Sequence, residues 1–378
     1  MYRPAFLIVV LTGSCGVPAA IREPAAHRLE RDVRFLASDE MRGRDNGTPE
    51  SERAAAYIVE RMREAGLKPA GEAGDWFHTF SRGRNVIGAL EGISDSWIVI
   101  GAHYDHLGAR NGRVFNGADD NASGVAVLLE IARRLENEPR HHGLLFCAFD
   151  AEEDGLVGST HFVASGLYPV SSFVAMICFD LVGGSFLPGD ERRVFAMGAE
   201  SSAELSERLD RAAPRGRLEV ERLGIYVIEP FGTIGARSDY SPFRLKKVPF
   251  VFFSTGTPWY YHTPEDDVER LDFRKMDAVA DLAARLARDL AVATPRPVWR
   301  TPAPDVKGDA RLAFGALKRI VEKGEIRSTD RQKTRAAELM LELKKIGEAE
   351  KAPPKAASTI QAAMMLLFAV ASAQEPIH

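Results

Sequence analysis

Acidic and imidazole side chains are concentrated between Val99 and Gly124, in the segment VIGAHYDHLGARNGRVFNGADDNASG. This stretch contains two histidines and three aspartates but no lysine. Groups of this kind repel or desolvate one another when they are brought together away from water. A cation that binds between them relieves both effects. The segment therefore predicts a metal site.

Five side chains along the sequence offer imidazole nitrogen or carboxylate oxygen, the ligand atoms that suit zinc and neighbouring divalent ions. They are His103, Asp120, Glu153, Asp180 and His262. Five ligands are too many for one tetrahedral catalytic zinc, which usually takes three from the protein and keeps a position for water. Two metal ions that share one carboxylate would use all five. The residue types thus favour a two-metal site.

Short buried strands must position these side chains. Several apolar runs are nearly continuous in hydrophobicity, which is typical of strands covered on both faces: SWIVIGAH, GLLFCAFD, SSFVAMICFD, RRVFAMG and VPFVFFST. Helical patterns precede them or stand between them, among them SERAAAYIVERMREAG, SGVAVLLEIARRLENE and SAELSERLDRAA. This alternation predicts an α/β fold with a doubly wound, mostly parallel central sheet and helices on both faces.

In such a sheet, functional groups gather at the carboxyl ends of the strands. His103 follows WIVIGA, Glu152 and Glu153 follow LLFCAFDA, Asp180 ends FVAMICFD, and His262 follows VPFVFFSTGTPWYY. Four predicted strands therefore deliver acid or imidazole groups to the same edge of the sheet.

Six segments resemble, in order, the motifs of the di-zinc aminopeptidase family that includes secreted bacterial leucyl aminopeptidases, vacuolar aminopeptidase Y and glutamate carboxypeptidase II. They are GAHYDHLG, NGADDNASG, AEEDGLVGS, CFDLVG, ARSDYSPF and YYHTPEDD, and the resemblance covers roughly Ala26 to Ala293. It implies a zinc exopeptidase-like fold, hydrolysis of peptides and two zinc ions (Zn2+) per chain.

The resemblance also implies how the ligands are shared. Asp120, directly before NASG, would bridge the two zinc ions. His103 and Asp180 would complete one site, and Glu153 and His262 would complete the other.

Four further residues receive roles beside the metals from the same resemblance. Glu152 matches the general base, and a carboxylate beside metal-activated water can take its proton and pass it to the leaving amine. Asp105 matches the carboxylate that orients the imidazole of His103. Arg237 and Tyr261 are candidates for stabilising the developing oxyanion.

Three neighbouring residues are left out of the predicted site. Asp119 is the residue most easily mistaken for the bridging carboxylate. For His106, which lies beside the first ligand motif, we expect a surface position. Many relatives have histidine where Tyr240 stands, and we expect the SDY segment to be structural, so this difference concerns substrate preference and not metal binding.

Composition limits the partners. Among 378 residues, 49 are Lys or Arg and 53 are Asp or Glu, which gives a net charge of −4. This near balance argues against nucleic-acid binding. Cys147 and Cys178 lie in apolar runs, so we expect buried thiols and neither a disulfide nor a thiolate metal cluster.

The amino-terminal end predicts an export signal. Residues 1–20, MYRPAFLIVVLTGSCGVPAA, contain a basic residue, an apolar run too short to span a bilayer, and then small residues. In LTGSC, Cys15 is placed as in a lipoprotein signal, which leaves a lipid anchor open beside simple cleavage near Ala20. We therefore expect an exported protein that is periplasmic, secreted or lipid-anchored at the cell envelope.

Beyond the signal we predict a zinc peptidase domain over 26–294, a proline-rich linker over 295–309 and a helical extension of unknown role over 310–378. The apolar run from Ala362 to Ala373 is too short to cross a membrane. For this run we expect a docked terminal helix, with anchoring at a membrane surface as the alternative.

These features predict an exported di-zinc aminopeptidase that removes residues from peptides with a free N-terminus. A carboxypeptidase-type or glutaminyl-cyclase-like enzyme on the same fold is the first alternative. A non-catalytic binding relative is the second, although such a protein would have no need to retain all five ligands together with Glu152.

Overall fold

The computed structural model describes residues 23–213, 216–229, 237–292, 294–322 and 326–374. The predicted signal segment, including Cys15, lies outside these residues. The strands are β1 (Lys68–Pro69), β2 (Phe77–Phe80), β3 (Gly83–Leu90), β4 (Ser94–His103), β5 (Ala109–Arg110), β6 (Arg113–Val114), β7 (His142–Phe149), β8 (Phe173–Phe179), β9 (Arg193–Met197), β10 (Glu219–Leu223) and β11 (Phe250–Ser254).

A mixed sheet forms the centre, with its strands in the order β1-β3-β7-β4-β8-β11-β9-β10 and β2 paired to β3. The central strands β7, β4, β8 and β11 are parallel to one another. Antiparallel pairs occur toward the edges, where β3 pairs with β1, β2 and β7, and where β9 pairs with β11. Strands β2 and β3 are antiparallel because a short turn, and not a crossover helix, joins them.

Helices cover both faces of the sheet, as predicted. They are α1 (Ala25–Leu36), α2 (Pro49–Glu64), α3 (Gly124–Leu135), α4 (Val157–Ser165), α5 (Ala203–Ala212), α6 (Tyr240–Leu245), α7 (Phe273–Val292), α8 (Val306–Glu322), α9 (Asp330–Glu348) and α10 (Ala356–Ala371). One face packs against α1, α2, α3, α5 and α7, and the other against α4, α6, α8, α9 and α10.

Strand β11 illustrates why the strands read as continuous apolar runs. Val251 and Phe253 point into the first core, whereas Phe250 and Phe252 point into the second. Since successive side chains of a strand alternate between faces, a strand buried on both faces needs apolar residues throughout. The buried thiols Cys147 and Cys178 lie in the second core and are free, as expected.

The carboxyl-terminal helices α8, α9 and α10 belong to the second core. Asp309 holds α8 in place, because its carboxylate accepts hydrogen bonds from the backbone N–H of Gly224 (3.0 Å) and from the hydroxyl of Tyr226 (2.9 Å). On α10, Ile360 and Leu367 are fully buried. The terminal apolar run is therefore docked, as expected.

Helix α8 begins at Val306, inside the segment predicted as a linker, while 298–305 contain neither helix nor strand. The division of the chain near Pro295 stays a prediction. Among the residues that the structure describes, none of the helices combines the length and the apolar character that a membrane crossing requires.

Candidate metal centre

The four parallel strands bring the predicted ligands to one edge of the sheet. His103 is the last residue of β4, and Asp180 directly follows β8. Glu153 lies in the turn after β7, and His262 lies in the loop after β11. The fifth ligand, Asp120, lies in the tight turn Ala118–Ser123 that leads into α3.

The two carboxylate oxygens of Asp120 face different groups. Its Oδ1 is 3.3 Å from Nε2 of His103, which is in turn 3.6 Å from Oδ1 of Asp180. Its Oδ2 is 3.0 Å from Nε2 of His262, which is 3.2 Å from Oε1 of Glu153. We call these groups the His103 half-site (His103, Asp180 and Oδ1 of Asp120) and the His262 half-site (His262, Glu153 and Oδ2 of Asp120).

Asp266 fixes the turn that carries Asp120. Its carboxylate accepts hydrogen bonds from the backbone N–H groups of Asp119 (2.8 Å) and Asp120 (3.0 Å). The side chain of Asp119 points elsewhere and accepts from the backbone N–H groups of Gly183 (2.8 Å) and Gly184 (3.1 Å). The two adjacent aspartates therefore have different partners, and Asp119 lies outside both half-sites.

A buried arginine that sequence reasoning did not single out supports the same turn. Arg44 is fully buried and donates hydrogen bonds to the backbone carbonyls of Tyr104 (2.7 Å), Leu36 (2.9 Å) and Gly117 (2.6 Å). Burial lowers the pKa of Arg44 to about 10, so its guanidinium remains charged at neutral pH. Its positive charge lies near the carboxylate of Asp120 and partly balances it.

Asp105 positions the general-base candidate and one ligand together. Its carboxylate accepts hydrogen bonds from the backbone N–H groups of Glu152 (3.1 Å) and Glu153 (3.2 Å). The same carboxylate lies 3.5 Å from Nδ1 of His103, on the side of the ring opposite the half-site. Nδ1 is also within hydrogen-bond distance of the backbone carbonyl of Asp105 (3.3 Å), so Asp105 contacts both the imidazole and the turn after β7.

The side chain of Glu152 reaches the edge of the His103 half-site, with Oε2 4.0 Å from Nε2 of His103. Burial raises the pKa of Glu152 well above its usual range, and the nearby carboxylates of Asp180 and Asp239 raise it further. Asp239, in the SDY segment, is fully buried, and burial raises its pKa to about 7. The segment was expected to be structural and not catalytic, and this stays a prediction, although Asp239 adds to the negative charge around Glu152.

Tyr240, the next residue, has partners away from the half-sites. It is fully buried, donates its hydroxyl hydrogen to Oε1 of Glu229 (2.7 Å), and stacks on Phe250 with ring centroids 5.0 Å apart. Tyrosine at this position is therefore a core residue here.

The two oxyanion candidates lie on the outer side of the site. The ring of Tyr261 stacks on His262, with centroids 3.8 Å apart and planes 19° apart. Burial raises the pKa of Tyr261, so its hydroxyl keeps its proton and can donate a hydrogen bond. Arg237 is exposed and donates from Nε to the carbonyl of Ile228 (3.2 Å). Both side chains line a cavity that also reaches Asp180.

The surface position expected for His106 is wrong. Its side chain is fully buried, and its Nδ1 lies 3.0 Å from Oε1 of Glu153 and 3.8 Å from Oδ2 of Asp120. The ring packs against Gly117, where a β-carbon would come within 2.5 Å of the imidazole. Gly117, directly before the ADDN turn, thus leaves room for His106 to reach the His262 half-site. The sequence did not reveal this contact between His106 and Glu153, which lie in different motifs.

The donor atoms fit a divalent metal. Six buried atoms converge here without a hydrogen-bond partner in the described part of the chain: Nε2 of His103, Nδ1 of His106, Oδ2 of Asp120, Oε1 of Glu153, Oδ1 of Asp180 and Nε2 of His262. Buried polar atoms left unpaired in this way are costly. Although burial opposes it, contact with Asp120 and Glu153 raises the pKa of His262 to about 10. The cluster therefore attracts positive charge, and nitrogen and oxygen donors of this kind suit zinc.

Comparisons with known proteins find aminopeptidases among the similar sequences and solved structures. Aminopeptidase YwaD of Bacillus subtilis is 30% identical over 192 residues, which are 49% of this chain and 39% of that protein. The probable lipoprotein aminopeptidase LpqL of Mycobacterium tuberculosis is 30% identical over 177 residues, 44% of this chain and 33% of that protein. The match thus spans well under two thirds of the length of either relative.

Among solved structures, BSAP, a zinc aminopeptidase from Bacillus subtilis, aligns with a TM-score of 0.58 at 18% identity. The alignment covers 75% of this chain and 100% of that one, which shows the shared fold. The model of Peptidase family M28 matches residues 85–287, a range that contains all five predicted ligands. Since this range is more than half of the sequence, the chain belongs to peptidase family M28.

Proposed function

We propose that this protein is a zinc-dependent aminopeptidase with two zinc ions, which hydrolyses the first peptide bond of peptides that have a free N-terminus. The observation that carries the proposal is the placement of Asp120, whose two oxygens face two separate groups of imidazole and carboxylate. Membership of a peptidase family supports peptide-bond hydrolysis as the reaction.

In this proposal, His103 and Asp180 would hold one zinc ion, Glu153 and His262 would hold the other, and the carboxylate of Asp120 would be shared between them. Bound zinc supplies the nucleophile, because coordination lowers the pKa of water to about 7. Asp105 keeps the imidazole of His103 in the orientation that ligation needs, through its contact with Nδ1.

Glu152 is the proposed general base. Its carboxylate lies at the edge of the His103 half-site, where the positive charge of bound zinc would oppose the burial that raises its pKa, and it takes a proton from the attacking water. The water oxygen bonds to the carbonyl carbon, the bond from that carbon to nitrogen breaks, and Glu152 passes the proton to the leaving amine. Tyr261 and Arg237 donate hydrogen bonds to the oxygen that becomes negative during this step.

The residues beside the proposed zinc ligands favour an aminopeptidase over a carboxypeptidase. Glu153 and Asp180 would be neutralised by the zinc ions that they hold, whereas Glu152 would hold none and remains to attract the ammonium group of a free N-terminus. Among the described residues that line the adjoining cavity, Arg237 is the only cation, and it is exposed. A substrate carboxylate would therefore find no buried cationic side chain in this part of the cavity.

The test uses one leucine-initiated peptide, free and N-acetylated, with the zinc-loaded protein and product analysis by mass spectrometry. We expect release of leucine from the free peptide alone, and no release from a zinc-loaded Glu152→Gln variant. Cleavage of the acetylated peptide, or cleavage at an internal bond, would contradict the assigned direction. Cyclisation of an N-terminal glutamine peptide without any hydrolysis would favour the glutaminyl-cyclase alternative.

We also propose that the protein is exported, either cleaved near Ala20 or lipid-anchored at Cys15. The support is the signal pattern of residues 1–20 and the similarity to a probable lipoprotein aminopeptidase. Mass spectrometry of the mature N-terminus tests this. An acylated Cys15 or a start near Ala20 is expected, and an intact Met1 would contradict export.

A further inference from the structure

A cavity of about 390 Å³ adjoins the His103 half-site. Asp180, a predicted ligand, and Tyr261, which stacks on His262, both line it. Its volume falls at the lower end of the roughly 300–1000 Å³ typical of small-molecule sites. A side chain attached close to a reacting peptide bond can therefore enter this cavity.

One wall of the cavity comes from the carboxyl-terminal helix α10. Met364, Met365, Phe368 and, just after the helix, Ser372 line it. Much of the remaining lining comes from strands β9 and β11 and from the loop after β8, and these residues are apolar: Leu181, Phe186, Phe195, Met197 and Phe252. Sulfur and aromatic surfaces of this kind accommodate large apolar groups and adapt to their shape.

The α10 wall is held in a defined position. The ring of Phe368 packs edge-on against Phe186, with centroids 5.3 Å apart. The side-chain amide of Gln361 donates a hydrogen bond to the backbone carbonyl of Tyr226 (2.9 Å). Met365, by contrast, is 68% exposed and lies at the cavity without being part of the core. A change at Met365 can therefore alter the cavity and leave the fold intact.

Helix α10 lies outside the part of the chain that matches the family, since that match ends at residue 287. The metal centre and the α10 wall thus come from different parts of the sequence. An element added after the catalytic region can change what the enzyme accepts without changing its chemistry.

We propose that α10 forms one wall of the pocket that receives the first side chain of the peptide, and that this wall gives the enzyme a preference for large apolar first residues. The inference rests on the proposed aminopeptidase function. Leucine, methionine and phenylalanine find apolar partners on this wall and on the remaining lining. Among the described residues that line the cavity, the only carboxylate that a lysine or arginine side chain finds is that of Asp180, which belongs to the proposed metal centre.

The experiment measures kcat/KM of the zinc-loaded, full-length protein on tripeptides that differ only in the first residue: alanine, leucine, methionine, phenylalanine and lysine. Two variants change the wall in opposite directions. Met365→Trp fills the cavity, and Phe368→Ala enlarges it. Leu341→Trp is the matched control, because Leu341 is 66% exposed on the neighbouring helix α9 and does not line the cavity.

For the unchanged protein we expect kcat/KM to be highest for the large apolar first residues. Met365→Trp should lower kcat/KM for leucine and phenylalanine by at least about 10- to 200-fold, the range that a single extra or missing methylene group produces in an apolar pocket. The alanine peptide should change less than about twofold, and so should every peptide with Leu341→Trp. Phe368→Ala should move the preference from leucine toward phenylalanine. Thermal unfolding and bound zinc are measured for each variant to verify the fold.

The outcomes separate the two proposals. If the unchanged protein cleaves none of the free peptides, the aminopeptidase proposal fails and the pocket assignment fails with it. The unchanged protein and both wall variants could instead be active with the same ratio of kcat/KM for the leucine peptide to kcat/KM for the alanine peptide. In that case the pocket assignment alone is overturned. A higher kcat/KM for lysine than for leucine in the unchanged protein would overturn it as well.

Discussion

The two half-sites share Asp120 but differ in access to solvent and in the number of imidazoles. In the His103 half-site, the side chains of His103 and Asp180 are 1% and 10% exposed and lie at strand ends. In the His262 half-site, His262 is 34% exposed and lies in a loop, with the buried His106 behind it. We therefore expect the His103 half-site to be the more rigid of the two. We expect the His262 half-site to exchange its metal faster, and its metal affinity to depend on neighbouring side chains such as His106.

The largest effect should come from the residue that the half-sites share. Asp120→Asn keeps the shape but removes the negative charge that faces both groups, so both metals should be lost. We expect bound zinc to fall below one ion per chain, with activity lowered more than about 10⁴-fold, because the nucleophile disappears with the metal.

Asp119→Asn is the control for this prediction, because Asp119 accepts hydrogen bonds from Gly183 and Gly184 and lies outside both half-sites. We expect this control to keep its zinc and to be less stable to heat. A full equivalent of tightly bound zinc in Asp120→Asn would mean that only one half-site uses this carboxylate.

Glu152→Gln should separate chemistry from metal binding. Glutamine has the same shape but cannot take a proton, so we expect kcat to fall by roughly 10³- to 10⁴-fold with bound zinc unchanged. Zinc content and steady-state kinetics measure the two effects. Its neighbour Glu153, a member of the His262 half-site, should behave differently, since Glu153→Gln should lose metal first. Equal zinc loss in the two variants would contradict the division of labour between these adjacent glutamates.

The sequence predicted the parts of this site that follow from strand order. Because β4, β7, β8 and β11 are apolar over most of their length and parallel, the acids and imidazoles after them had to meet at one edge. The structure brings His103, Asp120, Glu153, Asp180 and His262 together, as the resemblance implied. Their roles as ligands stay predictions.

Contacts between loops could not be predicted in the same way. His106 reaches Glu153 only because Gly117, eleven residues further along the chain, leaves space for its ring. Arg44 binds carbonyls of three separate segments, and no local pattern marks an arginine that is fully buried. The wall formed by α10 depends on the packing of this helix against α8, α9 and the turn Ile225–Val227. The hydrophobic periodicity of α10 does not specify these partners.

Tyr261 tests whether the exposed side of the His262 half-site has a catalytic or a supporting role. Tyr261→Phe keeps the ring that stacks on His262 but removes the hydroxyl. We expect kcat to fall by about 10²-fold, at the lower end for the loss of one oxyanion donor, with little change in bound zinc. Tyr261→Ala also removes the stack and should weaken zinc binding in addition. Full activity of Tyr261→Phe would leave Arg237 as the remaining candidate donor.

His106 should have the smallest effect and the most specific one. Its Nδ1 lies beside Glu153 and Asp120 but not beside Asp180, so His106→Ala should weaken only the His262 half-site. We expect a decrease of roughly 10- to 100-fold in the affinity of the weaker class of zinc sites, the usual size for partners of metal ligands. Competition with a chromophoric chelator resolves the two classes.

Two further variants show whether the polar atom of His106 or its volume matters. His106→Asn places an amide close to the position of Nδ1 and should restore part of the affinity, whereas a purely volumetric role would leave Asn no better than Ala. His161→Ala is the control histidine, since His161 stacks on His78 (4.7 Å between centroids) away from the metal centre. If His106→Ala lowers the affinity of both classes of zinc site equally, the half-sites are coupled through Asp120. Their different exposure to solvent would then not make their zinc affinities independent of each other.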